Sequence, residues 1–545
     1  MATPPDRAVR ALLLLTLGAT APAQSVVRSF DGALAGQRFG GAIDFAGDAN
    51  GDGVDELVVG MSLDARNGAQ AGAVALLSGR HGEPLVEMLG AAGDRLGSAV
   101  AGLGDVDGDG RADFAVAAPY DDRGGRDAGA VVVVSGASGV LLWTAFGHAP
   151  FEQLGLALAN AGDLDGDGRE DLAAGAPLAT GAAELAGLVR AYSGASGALL
   201  HSWAGVQAGE NLGSSLAAAG DLDRDGRGDL AMGGIERLRF GAGLVRIVSG
   251  ASGVELRTLR GIGGDEFGHA LALGPDWNQD GWPELVVGAP ARNVSSALSS
   301  AGAVLVISGR DGSTLATIDG RARFQRLGHA LSIPADLDGD GAPDLALGSL
   351  NGSVELWSLV GPTRLFAQSG AGRHGSVLGD GGDVDGDGAH DLLVAAPLAG
   401  AAQAGRVEVL AFTPRSFVGR PSSVPIAAGA RQDWQIDAGP ANAGRFYLVL
   451  GSLSGIAPGT PLGAVTLPLN LDPYSVASIG GLNLPPFVQS FGVLDAGGRA
   501  SAAFVVSPAL FTGLAGLTLD HAFVLLPSGG GIDFASNPAP MRLRQ

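Results

Sequence analysis

The sequence predicts an all-β chain: a seven-bladed β-propeller closed by an N-terminal strand, followed by a C-terminal β-sandwich. Three observations carry this. An acidic, glycine-bearing loop recurs seven times, starting at Asp48, Asp105, Asp163, Asp221, Asp276, Asp336 and Asp383, with gaps of 57, 58, 58, 55, 60 and 47 residues. A fixed period of this length is the mark of a repeat architecture. Each period holds four short apolar runs separated by Gly, Ser and Pro turn signals, with no helical period. Beyond residue 414 the acidic loop stops, while short apolar runs continue.

The chain begins with Arg7 and Arg10 ahead of the apolar run Ala11 to Leu17, and Ala21-Pro22-Ala23 offers a small-residue cleavage site. Residues 1–23 therefore read as an export signal, and the expected address is secreted or cell surface. No other run is long enough to span a bilayer. Cysteine is absent, which removes disulfides, thiolate metal sites and a Cys nucleophile.

Repeat 3 shows the unit. Leu154-Gly155 opens an apolar stretch to Ala161; the acidic loop runs from Asp163 to Asp171; Leu172 to Pro177 is a second strand. After a variable polar loop come a third strand, Leu188 to Tyr192, a Ser193–Gly197 turn, and a fourth strand, Ala198 to Trp203. Four antiparallel strands repeated seven times suit a propeller; stacked hairpins in a solenoid share the period. The termini favour the ring. Repeat 7 lacks its fourth strand after Val409-Leu410, and Val26 to Gly32 has the form of Leu141 to Gly147. A strand supplied from the N-terminus would close the ring and remove the open sheet edges. The propeller is thus assigned to residues 24–414.

The repeats resemble FG-GAP repeats, the unit of the integrin α-chain propeller. Phe39-Gly40 and Phe267-Gly268 match the first element; Gly175-Ala176-Pro177 and Gly288-Ala289-Pro290 match the second. Leu96-Gly97, Leu154-Gly155, Leu212-Gly213, Leu327-Gly328 and His374-Gly375 stand for the first, and Ala117-Ala118-Pro119 and Ala395-Ala396-Pro397 for the second. Repeats 1, 4 and 6 lack the Pro. The resemblance implies binding rather than catalysis, and calcium in the acidic loops. Residues 415–545 carry runs at Phe446 to Leu450, Val465 to Leu467, Ala503 to Val506 and Ala522 to Leu526, read as a small β-sandwich.

The loops carry the chemistry. Positions 1, 3, 5 and 9 are Asp48, Asn50, Asp52 and Glu56; Asp105, Asp107, Asp109 and Asp113; Asp163, Asp165, Asp167 and Asp171; Asp221, Asp223, Asp225 and Asp229; Asp276, Asn278, Asp280 and Glu284; Asp336, Asp338, Asp340 and Asp344; Asp383, Asp385, Asp387 and Asp391. Calcium takes six to eight oxygens at ~2.3–2.6 Å, and such a loop can wrap it. Thiolates are missing, and imidazole is not among the liganding positions, which disfavours zinc or copper. An EF-hand opens similarly but needs Glu at position 12 and flanking helices; here position 12 is apolar, as in Val116 and Ala174. The loops are candidate metal sites for up to seven structural Ca2+ ions, with loops 1 and 5 weaker than 2, 3, 6 and 7.

Net charge supports this reading. The chain carries -22; residues 415–545 hold 7 Arg and 6 Asp, which leaves -23 on residues 1–414. Clustered carboxylates repel unless neutralised, and so acidic a chain is a poor partner for nucleic acid. No catalytic constellation emerges. The eight His are scattered, His269 and His329 share a repeat position that suits packing, and Ser138, Ser196 and Ser252 lie in turns outside a nucleophile motif.

A partner, protein or glycan, is expected on the face opposite the acidic loops, where the variable loops project. Candidates there are Tyr120 to Arg123, Phe151-Glu152, Arg237 to Phe240, Arg292, Arg373, and Arg321 to Arg326 around Phe324, a basic patch suited to acidic glycan. The function expected is adhesion or recognition. An extracellular polysaccharide- or phosphoester-acting enzyme and a purely structural envelope component are the alternatives.

Overall fold

A computed structural model describes residues 24–412, apart from 80–81, 237–240, 335, 338–341, 360–361, 383 and 385–389, together with parts of 417–544. The expected export signal, residues 1–23, lies outside the described residues.

Seven four-stranded antiparallel sheets follow one another along the chain. Blade 3 is typical: Ala157–Gly162, Asp171–Ala176, Leu188–Tyr192 and Leu199–Ala204. The first strands (Ala42–Gly47, Val100–Gly104, Ala157–Gly162, Leu212–Gly220, Leu271–Leu273, Leu327–Ser332 and Val377–Gly382) each touch the next, and the last touches the first. They therefore line the axis of a closed ring. Second strands such as Asp113–Ala118 and Asp229–Gly234 are buried throughout, so they read as continuous apolar runs. Fourth strands such as Leu199–Ala204 are largely solvated.

Apolar packing is between blades. Val58, Val74 and Leu76 of blade 1 pack on Phe114, Val116 and Val132 of blade 2. Leu57 and Val59 of blade 1 also pack on Leu393, Val407 and Val409 of blade 7. Each fully buried side chain of this kind contributes about 1.5–3 kcal/mol.

A backbone joint fixes six of the seven pairs of neighbours. The residue before the third strand of one blade forms a parallel bridge with the first-element residue of the next: Gly72 with Leu96, Gly129 with Leu154, Gly187 with Leu212, Gly243 with Phe267, Gly302 with Leu327, and Gly405 with Phe39. The preceding Ala carbonyl accepts the partner N–H, as in Leu212 to Ala186 at 3.0 Å and Phe39 to Ala404 at 2.9 Å. Gly187 has φ +86, and a Cβ there would lie 2.3 Å from both the N and O of Leu212. The two motif glycines meet the same way: a Cβ on Gly175 would lie 2.1 Å from the Gly213 carbonyl oxygen of the next blade.

The ring closes as the sequence suggests. Gln24–Asp31 pairs antiparallel with Arg406–Phe412, from Gln24 opposite Phe412 to Asp31 opposite Arg406, and serves as the fourth strand of blade 7. Arg406 clasps the Asp31 carboxylate at 2.7 and 3.0 Å. Both side chains are well exposed, so this pair adds at most about 1 kcal/mol; strand pairing does the closing.

The C-terminal part forms two larger sheets, one containing Arg431–Asp437 and Arg499–Val505, the other Phe446–Ser452 and Thr518–Leu526, and a two-stranded pair, Thr460–Leu462 with Val465–Leu467. Trp434, Val449, Phe504 and Phe523 form its core. One short helix, Pro473–Gly480, departs from the all-strand expectation. Proline at its start and glycine at its end are the usual boundaries. Eight residues are too few to show a helical period, so the sequence did not reveal it. Ser475 Oγ donates to Gly451 O at 2.7 Å and ties the helix to the sheet.

His521 is enclosed in this core. Its ring lies 4.6 Å from that of Trp434, tilted by 47°, and it meets the Tyr474 hydroxyl at 2.8 Å. Burial pushes its imidazole down to about 3.

Two predictions follow from this packing. Gly187→Ala should cost at least ~3 kcal/mol in denaturant unfolding, because backbone atoms and a left-handed φ both oppose the methyl group; a loss below ~1 kcal/mol would contradict the joint. The His521 shift sets the pH response of the sandwich. The unfolded imidazole titrates near ~6.5, so the unfolded state binds the extra proton below that value. The stability is therefore complete above pH ~6.5 and lost progressively on acidification towards the folded value. The melting temperature of the sandwich, read by hydrogen exchange of its core strands, should fall between pH 7 and 4.5, and His521→Phe should flatten the fall; an equal slope in both proteins would contradict it.

Candidate metal loops and recognition face

Each acidic loop joins the first and second strands of its blade, and position 9 is the buried keystone. Asp113 accepts from Val106 N at 2.9 Å and, through its other oxygen, from Gly136 N at 3.0 Å in the Ser–Gly turn between the third and fourth strands. Asp171 does the same with Leu164 N and Gly194 N, at 2.8 and 3.0 Å. Asp229 takes Leu222 N and Gly250 N at 2.7 and 3.1 Å. Glu56, Glu284, Asp344 and Asp391 each hold the position-2 N–H of their own loop. The acidic loops and Ser–Gly turns thus share one face, as expected. The structural role of position 9 was not evident from sequence, where it figured only as a ligand.

Position 1 shapes the loop. Asp105 Oδ1 accepts from Gly108 N and Asp109 N at 2.6 and 3.1 Å, and Oδ2 accepts from Gly110 N at 2.9 Å. Ligand atoms of Asp105, Asp107 and Asp113 lie within 4.8 Å of one another, as do those of Asp163, Asp165 and Asp171; of Asp221, Asp223 and Asp225; and of Asp276, Asp280 and Glu284. In loop 4 the cluster leaves out Asp229. In loop 1 the Asn50 amide donates to Glu56 Oε1 at 2.8 Å and to Asp52 at 3.3 Å. Asp338, Asp340, Asp383, Asp385 and Asp387 lie outside the described residues.

These oxygens fit a hard divalent cation. In loop 5, Glu284 Oε2 takes Trp277 N–H at 2.6 Å, while Oε1 is buried with no hydrogen-bond partner. A buried bare carboxylate oxygen beside Asp276 and Asp280 is costly unless a cation meets it. Burial pushes Glu56 up to about 7 and Asp113, Asp171 and Asp229 up to about 6, against the N–H bonds that favour their ionised forms. Burial raises Glu284 as well. Anionic loops are therefore under electrostatic load that a bound cation relieves.

Position 7 laces successive loops together, a feature the sequence reading missed. Arg111 reaches back over Gly51 to within 4.0 Å of Asp48, and Arg227 over Gly166 to within 3.8 Å of Asp163. Arg169 passes over Gly108 and donates to the Val106 carbonyl. Position 4 is Gly in each loop that receives an arginine, since a side chain there would overlap the guanidinium. Where the next loop offers Trp282 instead, position 4 is Arg224, whose guanidinium lies 3.6 Å from the indole centroid. Trp282 Nε1 donates to Leu222 O at 3.2 Å, continuing the chain of contacts.

The opposite face is different. A cavity of ≈ 360 Å³ is lined by Tyr120 of blade 2, Gln153 and Pro177 of blade 3, Asn211 and Ile235 of blade 4, and His269 of blade 5. Four consecutive blades meet only at the axis, so it lies at the mouth of the channel. The His269 and His329 rings lie 4.7 Å apart, tilted by 31°.

Several residues expected to be available for a partner are engaged. Glu152 is buried against Arg190 at 2.6 Å, Asp121 holds Arg123 at 2.6 Å, and Arg326 pairs with Glu266 at 2.5 Å. Arg321 lies over Trp357, and Arg323 over the exposed Phe324. Of the basic patch, Arg326 is thus engaged, whereas Arg321 and Arg323 make no ion pair among the described residues. Residues 237–240 lie outside the described residues.

Three segments, residues 96–134, 154–196 and 267–307, match the FG-GAP repeat family; they fall on blades 2, 3 and 5. The chain is similar to integrin alpha pat-2 of Caenorhabditis briggsae, 30% identical over 227 residues, or 36% of this chain and 18% of that protein. It is 32% identical over 213 residues to integrin alpha-V of Gallus gallus, covering 36% and 20%. It is 35% identical over 150 residues to integrin alpha-IIb of Homo sapiens, covering 24% and 14%. The chain carries FG-GAP repeats on an integrin α-like propeller, and spans about a fifth or less of these relatives.

The lacing gives a test. Arg227→Ala removes a positive charge beside Asp163, so cation affinity at loop 3 should rise about two- to five-fold at low salt. Chelator competition on the full chain would measure it, with Arg126→Ala on the opposite face as the control. Unchanged or weaker affinity would contradict the electrostatic role.

Proposed function

We propose that this chain is an exported, calcium-bound propeller that serves as an adhesion or recognition module at a cell surface or in the extracellular matrix. The observation that carries the reading is the division of the ring into two faces. One face concentrates the acidic loops, three of them locked to the Ser–Gly turns by position 9. The other gathers the variable loops around the channel-mouth cavity.

Calcium on the first face is structural. Oxygens of positions 1, 3, 5 and 9 would hold it, and its charge would offset the repulsion among them. An ion that binds only the folded ring stabilises it by about 2.7 kcal/mol per site at one hundred times its Kd. A chain without disulfides gains by such staples. Rigid blades then present the opposite loops in fixed positions, which lowers the ordering cost of binding a protein or glycan. Among the described residues no helix is long and apolar enough to cross a membrane. The relatives are named as integrin α chains, and that likeness favours recognition over catalysis.

The test is a matrix-protein and glycan array probed with the full chain in calcium and in EDTA, with melting followed in parallel. Melting should fall by roughly 10 °C in EDTA, and a ligand should be retained in calcium and lost with the fold. Turnover of a polysaccharide or phosphoester without retained binding would contradict the reading, as would identical melting in both buffers.

A further inference from the structure

Six of the joints between blades contain two residues in the left-handed region, three and one positions before the first-element residue. At the outer of these, blades 1, 2, 4 and 5 use Gly36, Gly93, Gly209 and Gly264, with φ of 72, 98, 72 and 84°. Blades 3 and 6 instead carry Phe151 and Phe324, with φ of 63 and 59°. A bulky residue at such a φ is strained, and glycine would be easier on the backbone. Nor does the core claim these rings: Phe151 is 51% exposed and Phe324 58%.

Both sites share further construction. A guanidinium lies over each ring, Arg126 at 5.3 Å from the Phe151 centroid and Arg323 at 4.6 Å from that of Phe324. The residue after each Phe fastens its own turn. Glu152 accepts from His148 N and Ala149 N at 2.7 and 2.9 Å, and Gln325 from Arg321 N and Ala322 N at 2.8 and 3.2 Å. The rings are thus held outward by a stapled turn, on the face away from the acidic loops. Strain retained at an exposed, rigid position is typical of a binding site.

We propose that Phe151 with Arg126, and Phe324 with Arg323, are two platforms for an acidic polysaccharide. This rests on the recognition reading above and names the ligand class. The aromatic face is electron-rich and suits the C–H face of a pyranose ring. The adjacent guanidinium offers paired N–H donors to a carboxylate or sulfate on the same sugar. Arg323 makes no ion pair among the described residues, and Arg321 adds charge beside it; Arg126 is 3.8 Å from Asp127. Blade 6 is therefore the stronger platform. Lying three blades apart, the two engage one extended chain together, so that the second contact is intramolecular.

The test compares the full chain with Phe151→Gly/Phe324→Gly on immobilised hyaluronan, dextran sulfate and neutral dextran, in calcium. The wild-type chain should bind the two anionic polymers and not dextran, with affinity falling as salt rises. The double variant should bind at least about ten-fold more weakly while melting at the same temperature or higher, since glycine relieves the strained φ. Arg126→Ala/Arg323→Ala should weaken binding and reduce its salt dependence. Equal binding by both Phe and Arg variants, equal binding to neutral dextran, or a marked loss of melting temperature in the Gly variant would overturn the platforms. Retention of a matrix protein but of no anionic polymer would overturn them too, while leaving the recognition reading in place.

Discussion

The ring depends on a close approach between backbones. At six of the seven joints a glycine in the left-handed region lets the strand of one blade bridge directly to the start of the next, as Gly187 does with Leu212. The joint between Gly405 and Phe39 is the same contact used to join the last blade to the first. Apolar clusters then fill the space between sheets, so that each blade is finished only by its neighbours. This explains why the repeat is rich in glycine while remaining a packed, mostly apolar structure.

The same geometry sorts chemistry between the faces. Four-stranded antiparallel blades place first-to-second and third-to-fourth connections at one end. In blades 2, 3 and 4 the position-9 Asp binds those two connections together, and in loops 2, 3 and 5 position 9 lies close to the other loop carboxylates. A proposed cation resolves the conflict between burial and charge that this creates. The lacing arginines extend the arrangement from loop to loop, at the expense of placing positive charge beside Asp48 and Asp163. Connections at the other end are free of that task, and there the joints carry cavity residues and exposed aromatics.

Much of this was legible in the residues. The acidic loop announced the period, and the missing fourth strand of repeat 7 matched Val26 to Gly32, which the ring closure uses. The third strand of repeat 3 was read to the residue, Leu188–Tyr192. What stayed hidden depends on distances between repeats. Nothing near Arg227 in the chain points to Gly166, 61 positions earlier; only comparing position 7 of one loop with position 4 of the previous one would have found it. Glu152 looked like a loop residue until Arg190 was brought against it. The helix Pro473–Gly480 was too short to show a period.

Counting bound metal tests the central claim most directly. Native mass spectrometry of the chain in calcium should show discrete additions of up to seven ions, absent after EDTA, with Asp105→Asn/Asp107→Asn removing one of them. A chain that remains folded and metal-free in millimolar calcium would contradict the account, because the burial that pushes the position-9 carboxylates up would then be met by no cation.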